Sequence, residues 1–118
     1  TAIQTDPAGN ASPASTALVI TLDTTADAAT GIPDLQAASD TGSSNSDNIT
    51  NDTTPTFDIS CVTGSTVQLY SDAVATGTSA VCAGGTVTLT SGTLSAGSRS
   101  ITAIQTDPAG NASPASTA

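Results

Sequence analysis

The sequence predicts an all-β domain, and three features of its composition and patterning support this fold class. Ser and Thr make up about a third of the chain, and Gly, Pro and Asn recur between short apolar segments, which favours strands joined by tight turns. The ten acidic residues are all Asp, and Asp prefers turns and caps to helix interiors. Apolar and polar residues alternate in several segments, so each such strand has one face to bury.

A segment of 17 residues occurs twice and predicts the domain organisation. Residues 1–17 and 102–118 both read TAIQTDPAGNASPASTA. An identical repeat at this separation indicates one period of a tandem array whose unit is a small domain. We therefore expect residues 1–23 to be the C-terminal fragment of a preceding repeat with a linker. Residues 24–118 would form one domain that lacks the end of its last strand.

The predicted strands are short and closely spaced. Pro33 restricts the first of them to a sheet edge, and a further strand is expected to start near Ala112. The most apolar run, LVITL at 18–22, is expected to be the last strand of the preceding repeat. The strands predicted within the domain are 32–38, 55–62, 66–71, 77–82, 86–90 and 99–106.

This spacing is typical of an immunoglobulin-like β-sandwich of about seven antiparallel strands. Alternation is regular in the strands at 55–62, 66–71 and 86–90 but less regular at 101–105, where we expect a bulge or an outer-face contact. Leu94 is expected to fill the core from the turn before the last of these strands.

The charge balance limits the classes of partner and of activity. The chain has a formal net charge of −9, with one Arg and no Lys or His, which disfavours nucleic acid and anionic membranes as partners. No apolar run is long enough to span a membrane. Without His, Lys or Glu the choice of general bases is reduced to Asp, and no catalytic constellation is visible. We expect a non-enzymatic protein that attracts cations.

The turn Asp107-Pro-Ala-Gly-Asn111 is the first candidate cation site. Its residue types suit a hairpin turn, and one interpretation is that Asp107 and Asn111 only hydrogen-bond their own backbone. In a sandwich of this kind, however, the turn should face the incoming linker, which carries Asp23 and Asp27. Carboxylates and amides that meet at one seam would repel each other unless a cation lay between them.

A second acidic group is expected at the opposite pole of the domain, in the loop that contains Asp40, Asp47, Asn48 and Asp52. Oxygen ligands without His or a thiolate pair favour Ca²⁺ over Zn²⁺. The sequence therefore predicts Ca²⁺ as the cofactor, bound in loops at both poles. The candidate ligands are Asp23, Asp27, Asp40, Asp47, Asp52, Asp107 and Asn111.

The two cysteines, Cys61 and Cys82, lie on neighbouring predicted strands. A disulfide between them would stabilise the domain by roughly 3 kcal/mol on a chain-entropy estimate. The alternative is a pair of buried free thiols. An exported chain would favour the disulfide.

Three segments together resemble a known family: SDTGSSNSDNITNDTTPTF at 39–57, TGSTVQLY at 63–70, and the repeat junction ITAIQTDPAGNASPASTALVITLDTTA. They are similar to the Ig-like extender repeats of giant bacterial RTX adhesins. The resemblance implies calcium-rigidified sandwiches stacked end to end at the bacterial cell surface, in which Asp23, Asp40, Asp47, Asp107 and Asn111 fall in the family's Asp-rich loop and linker motifs. The cysteine pair departs from those repeats.

The leading functional prediction is a structural extender, or spacer, of a tandem-repeat cell-surface adhesin, whose partners are identical neighbouring repeats and Ca²⁺. The alternative is an Ig-like ligand-binding module that recognises a glycan or a receptor. Against the alternative, the chain has only two aromatic residues, Phe57 and Tyr70, to stack on sugars.

Overall fold

The computed structural model describes all residues from 1 to 118, and its regular secondary structure is entirely β. No helix is present that has the length and apolar character needed to cross a membrane. The six strands are β1 (Asp34–Leu35), β2 (Thr56–Ser60), β3 (Thr66–Ser71), β4 (Val74–Val81), β5 (Thr86–Thr90) and β6 (Ile101–Thr106).

These strands form two antiparallel sheets of three strands each, in the orders β1-β2-β5 and β4-β3-β6. The registers place Phe57 opposite Leu89 in the first sheet and Leu69 opposite Ala103 in the second. The predicted all-β, immunoglobulin-like sandwich is therefore confirmed. Its small core lies between the inward faces of the two sheets and consists of Phe57, Ile59, Val67, Leu69, Cys82, Val87, Leu89 and Ala103.

Several predicted strand bounds differ from the observed ones. The strands at 66–71 and 86–90 are confirmed, whereas the edge strand predicted at 32–38 is reduced to two residues. The strand predicted near Ala112 contributes one isolated bridge, from Thr106 to Ala112. Pro33 and Pro114 explain part of this difference, because proline has no N–H to donate to a ladder.

Residues 18–22 form no strand in this chain, and their Leu, Val and Ile side chains are between 76% and 86% exposed. We assigned this segment to the preceding repeat and not to this sandwich. Its role as a last strand, and the domain division after residue 23, stay predictions.

The expectations of a bulge in β6 and of Leu94 in the core were wrong, whereas the alternative of an outer-face contact at 101–105 stays a prediction. β6 pairs with β3 along its whole length without a bulge, and the irregularity lies instead between β3 and β4. The inward side chain after Ala103 is Gln105, which is 1% exposed. Leu94 is only half-buried and stays outside the core, in a surface groove.

The sandwich has two poles, defined here by what lies at each end of β6. The linker pole contains the end of β6, the turn 107–111 and the segment 23–30. The far pole contains the start of β6, the loop 36–55 between β1 and β2, and Ala118. The N-terminal residues 1–22 extend away from the linker pole, and the chain measures 84 Å along its longest axis.

Candidate functional site

The turn 107–111 is a compact, hydrogen-bonded hairpin turn at the linker pole. Asp107 Oδ1 accepts a hydrogen bond of 2.8 Å from the backbone N–H of Asn111, and Oδ2 accepts one of 2.8 Å from the Asn111 side-chain amide. Gly110 has a φ of +95°, a conformation that glycine adopts without a steric cost. The turn closes on itself through one carboxylate.

The first copy of the repeat adopts the same turn, although nothing packs against it. Asp6 accepts hydrogen bonds of 2.8 Å and 2.9 Å from the backbone and side chain of Asn10. The backbone bonds from Ser12 to Gln4 and from Ser15 to Ala2 also reappear 101 positions later. The turn geometry is therefore intrinsic to its sequence, as the first interpretation of Asp107 and Asn111 expected, and it is not by itself a sign of a cation.

The incoming linker lies against this pole, as the topology predicted. The Asn111 side-chain amide donates a hydrogen bond of 3.2 Å to the carbonyl of Asp23. Ser65, immediately before β3, donates a hydrogen bond of 2.6 Å to the carboxylate of Asp27. The Asp23 carboxylate turns back to accept from the N–H of Thr25. Asp23 meets the turn through its backbone, so the seam contains fewer converging carboxylates than we expected.

A residue that the sequence reading missed fixes the linker more firmly. The Gln105 amide donates 2.7 Å to the carbonyl of Ala28, and its Oε1 accepts 2.8 Å from the N–H of Val62. Thr30 also donates to the carbonyl of Ala103. A polar residue on the inward face of an apolar strand was the available signal, because a buried amide needs partners.

At the far pole, Asp40 is the candidate ligand with the most unusual environment. It is 3% exposed, and its Oδ2 accepts a hydrogen bond of 3.1 Å from the N–H of Asn48. Its Oδ1 is buried and has no hydrogen-bond partner. A buried carboxylate oxygen without a partner is costly, so this atom fits a bound cation.

The other two carboxylates of this loop stabilise local turns. Asp47 accepts from the N–H of Ile49, two residues on. Asp52 accepts from the N–H of Thr54 in the same way, and this backbone bond is the main reason that the pKa of Asp52 lies below its usual range. Both are Asx turns. Of the four residues Asp40, Asp47, Asn48 and Asp52, only Asp40 and Asn48 are joined by a hydrogen bond.

Asp34, a less secure match to the Asp-rich motifs of the resembled family, and Asp58, which was not predicted as a ligand, face each other across the β1–β2 register. Together with Asp40 and Asn48 they line a surface cavity of about 600 Å³. Like charges directly opposite in a sheet destabilise it, and here Gln36 and Thr88 each donate to Asp58. Nowhere in the chain do three or more acidic side chains converge closely enough to hold a metal ion by themselves. A cation at Asp40 would need amide, carbonyl or water oxygens as its further ligands.

Hydrogen bonds also lower the pKa of carboxylates outside this loop. The Asn111 side-chain amide, followed by its backbone N–H, holds the pKa of Asp107 below its usual range, and Asn10 does the same for Asp6. For Asp72 the backbone N–H of Ser100 has the largest effect on the pKa, ahead of Arg99. Arg99 and Asp72 form the one ion pair of the chain, at 2.9 Å.

Cys61 and Cys82 are joined by a disulfide, with Cα atoms 6.1 Å apart. The bridge closes the β3–β4 hairpin just outside its open end and ties it to the end of β2. Cys82 is in the core, whereas Cys61 packs against it from a half-buried position.

The sequence of residues 27–118 matches the family described as Bacterial Ig-like domain. The chain belongs to this family, whose fold is non-catalytic and which occurs commonly in bacterial surface or extracellular proteins. No curated protein matches the chain.

Proposed function

We propose that this domain is a structural extender of a tandem-repeat bacterial cell-surface adhesin and that Ca²⁺ bound in its polar loops makes it rigid. The observation that carries the extender role is the docking of the linker onto β6. Gln105 and Asn111 hold residues 23–28 by hydrogen bonds to the backbone, so the preceding repeat would leave the sandwich in a defined direction. A spacer needs such a fixed joint.

The calcium part of the proposal is supported chiefly by Asp40. Its buried, unpartnered Oδ1 would coordinate the cation. Asn48, Asp34 and Asp58 line the same cavity and supply further oxygen atoms. Asp23, Asp27, Asp107 and Asn111 remain proposed ligands at the linker pole. A cation that binds only the folded state adds stability by mass action.

The two aromatic residues offer little to the alternative, a glycan-binding module. Phe57 is buried in the core, and Tyr70 is half-buried in β3. Two aromatic side chains, neither of them fully exposed, give little support to sugar stacking, and the extender is the better-supported function.

Thermal unfolding with EDTA and with about 10 mM CaCl₂ tests the proposal. Extracellular calcium modules bind at 10⁻⁴–10⁻³ M, for which this concentration adds about 1.4–2.7 kcal/mol. For a domain of this size that free energy raises Tm by several degrees. Asp40→Asn should remove the part of the calcium-induced rise in Tm that comes from the far pole. Asp72→Asn, which breaks the ion pair, should leave the rise intact. Equal midpoints for the wild-type chain in the two buffers would disprove the calcium role.

A further inference from the structure

The sheet edge at β1 has two acidic side chains directly opposite each other. Asp34 of β1 is in register with Asp58 of β2, and both residues are exposed. Like charges in this arrangement destabilise a sheet. β1 has only two residues and pairs with β2 alone. The ladder that holds this edge strand is therefore short, and the repulsion acts within it.

Neighbouring side chains stabilise Asp58 but do not remove the repulsion. The Gln36 side-chain amide and the Thr88 hydroxyl both donate hydrogen bonds to Asp58 Oδ1. A neutral donor stabilises a carboxylate and leaves its charge in place. Two negative charges consequently remain opposite each other across the register, and a cation is the kind of ligand that would offset them.

Gln36 connects this acidic pair with the segment that contains Asp40. Its backbone N–H donates a hydrogen bond of 3.0 Å to the carbonyl of Thr56, next to the β1–β2 ladder. Its own carbonyl accepts a hydrogen bond of 2.9 Å from the N–H of Asp40, and its side chain contacts Asp58 at 2.9 Å. A change at Asp40 can therefore reach the β1–β2 pairing through a single residue.

Asp40 lines the same cavity as Asp34, Gln36 and Asp58. Its buried Oδ1 has no hydrogen-bond partner, which is the observation behind the calcium site proposed at the far pole. The three carboxylates do not converge closely enough for one ion to contact all of them. An ion held at Asp40 would act on the Asp34–Asp58 pair through its charge and through the backbone bond from Asp40 to Gln36.

We propose that cation binding at Asp40 controls the pairing of β1 with β2. Ca²⁺ on Asp40 Oδ1 reduces the mutual repulsion of Asp34 and Asp58 and holds the Gln36 carbonyl in place, so the sheet edge stays closed. Without the ion the edge opens more often. This inference rests on the calcium part of the proposed function and names what the ion regulates. Because residues 23–30 lead directly into β1, a closed edge also steadies the linker.

Amide hydrogen exchange followed by NMR tests this proposal, in EDTA and in about 10 mM CaCl₂. Salt of about 0.05 M limits the screening of the exposed charges. The Gln36 N–H reports the opening of β1, because its acceptor is the carbonyl of Thr56. We expect its exchange to be up to about fivefold slower with Ca²⁺, the upper range for one like-charged pair. The control is the N–H of Asp72, an exposed residue whose acceptor is the carbonyl of Ser100, and its exchange should not change.

A charge-matched pair of variants tests the repulsion without calcium. Asp34→Asn removes one charge of the opposed pair and nearly preserves its shape, so in EDTA the Gln36 N–H should exchange up to about fivefold more slowly than in the wild type. Asp6→Asn removes the same charge from the isolated first turn and should leave the exchange at Gln36 unchanged. Equal exchange in the wild type and in Asp34→Asn would overturn the proposal.

The calcium arm separates this inference from the proposed function on which it rests. Asp40→Asn should abolish the slowing of exchange at Gln36 by Ca²⁺. A calcium-induced rise in Tm with unchanged exchange at Gln36 would overturn control of the sheet edge and leave the calcium role standing. Equal midpoints in the two buffers would disprove the calcium role and this inference together.

Discussion

Gln105 and Ala28 are joined by a hydrogen bond of 2.7 Å from the side-chain amide to the backbone carbonyl, although they are 77 residues apart. The same side chain accepts a bond from Val62, and it is almost entirely out of water. One glutamine thus connects the linker, the end of β6 and the turn between β2 and β3.

Gln105→Ala should lower the free energy of unfolding by about 1–3 kcal/mol, because it removes the two hydrogen bonds that this buried side chain makes to the Ala28 carbonyl and to the Val62 N–H. The chain contains a matched control in Gln4, which has the same sequence neighbours but is exposed. Gln4→Ala should change stability by less than about 0.5 kcal/mol. Urea unfolding of the two variants measures the difference, and equal losses would show that the buried contacts contribute nothing.

Asn111→Ala should destabilise the domain by about 1 kcal/mol, since the side-chain amide loses its bonds to Asp107 and to the carbonyl of Asp23. Asn10→Ala removes the equivalent amide from an exposed turn that no linker contacts, and the unfolding midpoint of the sandwich should not move. A loss in Asn111→Ala no larger than in Asn10→Ala would mean that the turn does not hold the linker.

Gly77 allows β4 to approach β5. Its φ is +67°, and a Cβ at this position would overlap with the carbonyl oxygen of Thr90. Gly84 has a similar φ of +65° with open space around it, so Gly84→Ala reports the backbone strain alone. We expect Gly77→Ala to lower the free energy of unfolding by well over the ~1 kcal/mol that is typical of backbone strain at a positive φ. Thermal unfolding measures this loss. Similar losses in the two variants would contradict the close approach.

Acid should destabilise the sandwich through Asp107 and Asp72. Hydrogen bonds lower the pKa of both carboxyl groups in the folded state. Their contribution is therefore complete above the unfolded-state pKa of about 3.9 and is lost as the pH falls through the lower folded-state values. The thermal unfolding midpoint, measured from neutral pH downwards, should therefore decrease once the pH drops below about 3.9. Asp107→Asn should weaken the dependence, whereas Asp6→Asn, in the isolated turn, should leave it unchanged.

Replacing both Cys61 and Cys82 with Ala should reduce stability by roughly 3 kcal/mol, because the bridge closes a loop of about 22 residues in the unfolded chain. Urea unfolding of this variant and of the oxidised chain gives the comparison. A wild-type chain kept reduced should behave as the variant does, and unchanged stability in both would show that the bridge is dispensable.

Local patterning was sufficient to predict most of the sandwich. The alternation at Phe57 and Ile59, at Val67 and Leu69, and at Val87 and Leu89 identified three strands and most of the core, since each pair is buried as expected. The length of β4 was underestimated because its side chains are mostly exposed, which leaves no hydrophobic period to detect. The two-residue β1 is set by its pairing with β2, which a local reading does not contain.

The candidate site was less predictable from local residues. The meeting of the turn 107–111 with the linker followed from topology, but the roles of individual side chains did not. Asp107 is satisfied by Asn111, and Asp23 contributes its carbonyl rather than its carboxylate. The isolation of Asp40 Oδ1 and the pairing of Asp34 with Asp58 depend on how a loop folds over a sheet edge. The spacing of these residues along the sequence does not determine how far apart they lie in space.

The Cys61–Cys82 bridge also sets what happens when such a domain is stretched between its two ends. Residues 61 and 82 stay joined, so β3 and β4 cannot extend with the rest of the chain under load. At about 3.3–3.6 Å per residue, the 21-residue separation removes about 70 Å from the length released on forced unfolding. A string of these domains would therefore lengthen in shorter steps when oxidised than when reduced, and would keep its ends closer together under tension.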